Sequence, residues 1–402
     1  MHARTVRLFA VVAAAALTAL IGVTTVGARA EQARDEMGRW RAQLRARHAQ
    51  KLSPRDPAWG APVAGNAFTH YEHAATLADG FDDAADVRPK LTASDEALCS
   101  AAGRANWQPV VAAVLAGAPC ERCEFPRDDR VFGCANLLTY RRAANLTVLE
   151  ARARRHEGRD SDATRLTLAA MAMGAACVDD GVLVNQMVGA AIVAIAVDAW
   201  TDRDLRSAPE AALRALRAGL QRLDDRLPAT LDLDAELAQM ATALLDVPDQ
   251  RAWAGGGTWR YGFSAEWMCA DAFLALAEAA ERLRAADALD WPRRQALFDV
   301  ELERLATMTN TAAQVIAPHL DACEHQLRWN LTHLRLLRQA VARHLHEPET
   351  LQDPLGAGPL RVTVEDGAYV LSSAGDDDRG QLRREVRPRD QSTGARSSRR
   401  KR

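Results

Sequence analysis

Apolar side chains recur at alternating spacings of three and four residues through most of the chain, and that period admits helices and excludes half-buried strands. Leu213, Leu216, Leu220, Leu223 and Leu227 draw one such stripe; Leu320, Cys323, Leu327, Leu331, Leu334, Val341 and Leu345 draw another. The apolar content is carried by Ala, Leu and Val with few aromatics, and Ala and Leu lose little side-chain entropy in a helix. Thr164 to Cys177 and Val182 to Trp200, separated by Asp179-Asp180-Gly181, predict an antiparallel helical hairpin. Ser207-Ala208-Pro209-Glu210 matches the capping box and predicts a helix start. Further helices are expected over Leu231 to Leu245, Ser264 to Ala286, Pro292 to Ile316 and His319 to His346. No fixed repeat length is present, so the expected class is mainly α: a helical bundle or irregular helical array with a small C-terminal β-hairpin. That hairpin is expected over Leu360 to Val364 and Ala368 to Ser372, around Asp366-Gly367.

The segments order themselves by composition. Arg4 and Arg7 precede an uncharged run from Leu8 to Ala28, and Ala28-Arg29-Ala30 has the small-x-small form of a signal-peptidase site. Residues 1–30 therefore read as a signal peptide or an N-terminal membrane anchor, the run being close to the roughly twenty residues that span a bilayer. Either reading places the rest of the chain at the inner membrane facing the periplasm, or exported beyond it. Residues 31–66 read as a juxtamembrane helix and a Pro/Gly linker, 67–350 as the helical domain, 351–380 as the hairpin segment and 381–402 as a disordered basic tail. The apolar stretch Met187 to Val197 is too short to span and reads as core. A net charge of −2 gives no global attraction to nucleic acid.

Of the seven cysteines, Cys99, Cys120, Cys123 and Cys134 cluster in sequence. In an oxidising compartment they are expected to pair as structural disulfides. The alternatives are a zinc site, with Cys120, Cys123, Cys134 and a fourth thiolate as tetrahedral ligands, and a redox pair at Cys120-x-x-Cys123. His70 and His73 stand at i, i+3 on a predicted helix, a spacing that chelates, with Glu72 between them. The glycine- and aromatic-rich segment Trp253 to Phe263 reads as a connection or a pocket lining.

One stretch supports a family resemblance. Asp353-Pro354, Gly356, Pro359-Leu360-Arg361, Gly367, Tyr369 to Leu371, Ser373 and Gly375-Asp376 resemble the C-terminal part of type II secretion pseudopilins. The same ending is similar to one in large helical proteins of bacterial envelopes. There an Asn-Ala start before a Tyr-bearing helix (Asn66, Ala67, Tyr71) and a Gln-x-Val-Gly-x-Ala helix (Gln186, Val188, Gly189, Ala191) also recur. The resemblance implies a hairpin followed by a calcium loop, here Asp376, Asp377 and Asp378, although Leu355 stands where pseudopilins have an aromatic.

The chain contains neither an HExxH nor a GxSxG motif. The expectation is an extracytoplasmic, non-catalytic binding or scaffold protein of the bacterial cell envelope with a protein partner, touching the membrane through its N-terminus if that segment is retained. The alternative is a metal-dependent extracytoplasmic hydrolase built on His70, Glu72 and His73 or on the cysteine cluster. Zinc or calcium are the cofactors the residue types would accept.

Overall fold

Alanine-rich faces let helices approach closely, and two glycines bring the central pair nearer still. The structure, a computed structural model, describes residues 28–29, 31–51, 57–82, 87, 90, 93–99, 104–126, 137–246, 262–308, 320–375 and 382–388. Helix α1 covers residues 31–51. It is followed by β1 (Val63–Asn66), α2 (Ala67–Asp79), α3 (Asp95–Cys99), α4 (Arg104–Gly117) and β2 (Cys120–Arg122). Then come α5 (Leu137–His156), α6 (Asp160–Asp179), α7 (Leu183–Asp198), α8 (Asp202–Ser207), α9 (Glu210–Arg226) and α10 (Asp234–Asp246). The chain continues with α11 (Gly262–Ala285), α12 (Trp291–Ala306), α13 (Leu320–His344), β3 (Arg361–Glu365), β4 (Ala368–Ser372) and β5 (Arg383–Val386). The class is mainly α with a small antiparallel sheet near the C-terminus, as the stripes predict.

Helices α6 and α7 form the expected hairpin and the centre of the fold. Its turn places Gly181 at φ 77°, a left-handed conformation that glycine adopts without a Cβ clash. A Cβ on Gly189 would stand 2.4 Å from the Gly174 carbonyl oxygen and 2.8 Å from the Val178 nitrogen, so the two backbones touch there. Helix α6 is buried without a break from Leu166 to Val178, with α5, α7 and α9 packed around it. Helix α13 closes the bundle against α7 and α9. The Leu213, Leu216, Leu220 and Leu223 stripe of α9 is buried, as its period requires. Gln186, fully buried, donates to the carbonyls of Gly181 (2.9 Å) and Asp232 (2.6 Å) and so ties the start of α7 to the segment entering α10.

Asn66 has a comparable local task. Its Oδ1 accepts from the backbone N–H of Phe68, capping α2, and from that of Glu124 at 2.9 Å, while its Nδ2 donates to the Glu124 carbonyl. It thereby closes the parallel pair β1–β2, which has no counterpart among the expected elements. At the other end Asp353, buried, accepts from Ser373 Oγ (2.8 Å) and from the N–H groups of Ala374 (2.5 Å) and Leu355 (3.1 Å). A Cβ on Gly375 would lie 1.9 Å from the Leu355 carbonyl oxygen. Asp353, Gly356, Ser373 and Gly375, the positions of the resemblance, thus lock the turn after α13 onto the end of β4. The hairpin is as expected, with Asp366 at φ 49° and Gly367 at φ 77° in the turn.

Several expectations are corrected. Among the described residues no helix is long and apolar enough to cross a membrane, which overturns the transmembrane reading for them. The most apolar helix, α7, packs against α6 and α13. Residues 1–27, where most of the uncharged run and the signal-peptide reading fall, lie outside the described residues. No disulfide joins Cys99, Cys120 and Cys123, which overturns the disulfide expectation for them; Cys134 lies outside the described residues. Helix α1 is part of the bundle: Met37 and Leu44 are buried, and Arg45 donates to Thr242 Oγ1 at 2.8 Å. The capping box belongs to α8, where Thr201 and Asp204 exchange side-chain and backbone hydrogen bonds. Ser207 instead ends α8 by donating to the Asp204 carbonyl, leaving Pro209 at the start of α9. Finally, β5 lies inside the stretch read as a tail and pairs with β4.

Candidate functional site

The metal candidates from the sequence do not converge. His70 is half-buried and His73 exposed on α2, and Glu72 between them accepts from the Tyr140 hydroxyl at 2.8 Å, which ties α2 to α5. Cys120 and Cys123 are buried around β2, with the Cys120 thiol 3.5 Å from the Ala116 carbonyl. Cys99 sits elsewhere, against the Ala153 carbonyl of α5. Burial, and then the charge of Glu157, push the Cys99 thiol up, the direction that makes a cysteine less nucleophilic. Among the described residues no group of three His, Cys, Asp or Glu side chains could hold a metal ion. Cys134, Asp376, Asp377, Asp378 and all but Gly262 and Phe263 of the Trp253 to Phe263 segment lie outside them, and the last two are described only as helical backbone.

Buried charge is used to join helices. Glu150 takes Arg104 Nε (2.9 Å) and Trp107 Nε1 (3.1 Å) from α4. Asp224 on α9 takes Arg335 (2.7 Å) and Arg338 (2.8 Å) from α13, and Arg338 also holds Glu349 at 2.8 Å. Glu324 takes both Arg294 and Arg328. A cleft of about 550 Å³ where α1, the end of α6, α9, the segment entering α10, α11 and α12 meet shows the same economy. Lys51 is held by Asp232 (2.9 Å) and Asp234 (3.0 Å), Arg226 by Asp179 (2.7 Å), and Arg284 by Glu281 (2.6 Å). Its walls are thus cross-linked by ion pairs.

Arg343, in the last turn of α13, departs from this pattern. Its guanidinium lies 4.4 Å over the Tyr369 ring, and it has neither an ion pair nor a hydrogen bond among the described residues. Its Nε is buried without an acceptor. Arg343 lines a pocket of about 220 Å³ with His344, His346, Tyr369, Arg387 and two prolines, Pro348 and Pro388, and no carboxylate lines it. The positioning is local chemistry. Helix α13 ends with the N–H of Glu347 bonded to the Ala342 carbonyl and His346 in the left-handed region at φ 57°. Glycine is the usual residue at that cap; a histidine there bears backbone strain at the rim of the pocket. Strand β4 supplies Tyr369 because Asp353 and the Ser373–Gly375 turn fix the sheet onto α13. His344, buried, stands 3.4 Å from Asp202, and Arg387 is held by Glu385 at 2.7 Å. A guanidinium over an aromatic face, with no carboxylate in the lining of its pocket, can receive an anion.

A second histidine near this end carries a pH consequence. His333 stands 3.3 Å from Asp198, yet burial, and then the charge of Arg384, hold its pKa down at about 4. The unfolded chain therefore takes up the proton first. Stability present above pH 6.5 is expected to fall as the pH drops from 6.5 toward 4, by about 2 kcal/mol after discounting for partial exposure. Urea titrations of the wild type and His333→Gln across that range check this: the variant is expected to lose that component of the slope, and equal slopes contradict it.

Arg343 carries no sequence signal that separates it from its neighbours; the pocket was not foreseen. Comparison with protein-family models, with curated proteins and with solved structures finds no match.

Proposed function

We propose that the protein is a non-catalytic binding or scaffold protein of the bacterial cell envelope, and that Arg343 receives a carboxylate of a protein partner. The observation that carries the reading is the guanidinium of Arg343 over Tyr369, which has neither an ion pair nor a hydrogen bond among the described residues and whose Nε is buried without an acceptor. A pocket of about 220 Å³ suits a side chain or chain end. Small-molecule sites are larger, typically about 300–1,000 Å³. The envelope placement rests on the resemblance at Asn66, Gln186, Gly189 and the Asp353 to Gly375 stretch. The reading invokes no cofactor; a zinc or calcium site would need ligands such as Cys134 or Asp376 to Asp378.

Titration of the purified chain with an oligoglutamate peptide tests it. Saturable binding is expected, weakened about tenfold in Arg343→Gln, as loss of a charge-assisted hydrogen bond requires. The melting temperature serves as the control for folding. Binding that is unchanged in Arg343→Gln, or no saturable binding at all, contradicts the proposal.

A further inference from the structure

The free edge of the C-terminal sheet is complementary to itself. Strand order is β3-β4-β5, so β3 has one neighbour, and all five of its residues are exposed, Val362 by 37% and Val364 by 68%. Apolar residues on an edge strand are unusual, because unpaired edges template association. The pairing with β4 runs without a bulge from Arg361–Ser372 to Glu365–Ala368. A two-residue turn closes on a hydrogen-bonded pair, here Glu365–Ala368, so Arg361, Thr363 and Glu365 bond inward. The N–H and carbonyl groups of Val362 and Val364 then face outward, and among the described residues neither has a backbone partner beyond the hairpin.

We infer that β3 pairs antiparallel with β3 of a second copy of this chain, centred on Thr363. The sequence Arg361-Val362-Thr363-Val364-Glu365 selects that register. Thr363 then faces its own copy, Val362 faces Val364, and Arg361 faces Glu365. The two Val362–Val364 positions become hydrogen-bonded pairs, matching the outward backbone groups. Thr363 becomes the non-hydrogen-bonded pair, matching its inward bonding to β4. A parallel arrangement would oppose Arg361 to Arg361 and Glu365 to Glu365, which like-charge repulsion disfavours. A register centred on Val362 or Val364 would unpair the charges. Arg361 has no ion-pair partner among the described residues, while Glu365 accepts from Arg383 at 2.6 Å through one oxygen and from Thr363 at 3.2 Å through the other. Each carboxylate oxygen has a second lone pair for the incoming guanidinium. The contact is isologous, closes with two-fold symmetry and turns two three-stranded sheets into one of six strands. It does not rest on the Arg343 pocket.

Sedimentation of the full chain across micromolar concentrations tests the inference. The wild type is expected to reach twice the 43.7 kDa chain mass. Arg361→Glu and Glu365→Arg are each expected to raise the dissociation constant tenfold or more. The double variant R361E/E365R is expected to recover dimerisation, because it exchanges the charges within the same pairs. A monomeric wild type, a dimer indifferent to the single reversals, or a double variant that stays dissociated overturns it. Far-ultraviolet circular dichroism of each variant separates dissociation from unfolding.

Discussion

Replacement of Glu324 by leucine is expected to destabilise the protein by about 3–5 kcal/mol, the cost of removing one partner from a buried ion cluster. Glu324 is fully buried on α13 and accepts from Arg294 Nη2 (2.8 Å), from Arg328 Nε and Nη2 (3.0 Å each) and from the Leu231 N–H (3.1 Å). Arg294 reaches on to the Leu283 carbonyl, and Arg328 to that of Pro354 at 2.9 Å. One carboxylate therefore joins α11, α12, α13, the entry to α10 and the turn that leads into the sheet. Its loss leaves Arg328 without a carboxylate in a dry site, where burial already pulls it below the ordinary arginine range, and leaves Arg294 with the more exposed Asp287 at 3.0 Å. Replacing all three, as R294M/E324L/R328M, is expected to recover most of the loss, because apolar side chains of similar volume carry no charge to desolvate. Urea denaturation measures both. A loss below about 1 kcal/mol in Glu324→Leu, or a triple variant weaker than the single, contradicts the assignment.

Gly189→Ala is expected to cost about 3 kcal/mol, the upper part of the range for overpacked cores. The added methyl would meet backbone atoms, the Gly174 carbonyl oxygen at 2.4 Å and the Val178 nitrogen at 2.8 Å, and neither can rotate away. Helices α6 and α7 would have to separate at the middle of the bundle. Gly38→Ala is the control: nothing lies within 4 Å of its Cβ position in α1, and helix propensity alone predicts a gain of about 1 kcal/mol. Thermal melts of the two variants are expected to move in opposite directions. A Gly189→Ala protein as stable as the wild type would show that the two backbones are not in contact.

Periodicity made the helices legible because it is a local signal: Leu213 to Leu223 and Leu320 to Leu345 are buried where their spacing puts them. Asp366-Gly367 made the hairpin legible for the same reason. What escaped depends on distant partners. The strands β1 and β2 are short and brought together only after α2 to α4 have packed. Strand β5 reads as tail because, of its residues, only Val386 is buried, with Leu382 just before it. The cysteine cluster suggested disulfides through nearness in sequence, yet α3 and α4 carry Cys99 and Cys120 to different helices. Arg338 and Arg343 look alike in the sequence, and only the fold gives the first Asp224 and Glu349 and the second the face of Tyr369. Asn66, Gln186, Gly189 and Asp353 are structural staples, each fixing a turn or a helix contact.

If Arg343 receives a carboxylate, it responds to an acidic peptide while the arginines that join helices do not. Arginine Nε–H resonances of the nitrogen-15-labelled chain, followed as oligoglutamate peptide is added, test it most directly. The Arg343 signal, assigned through Arg343→Gln, is expected to shift and saturate while those of Arg294, Arg328 and Arg338 stay in place. A uniform drift of all arginine signals, or an unmoved Arg343, would contradict it.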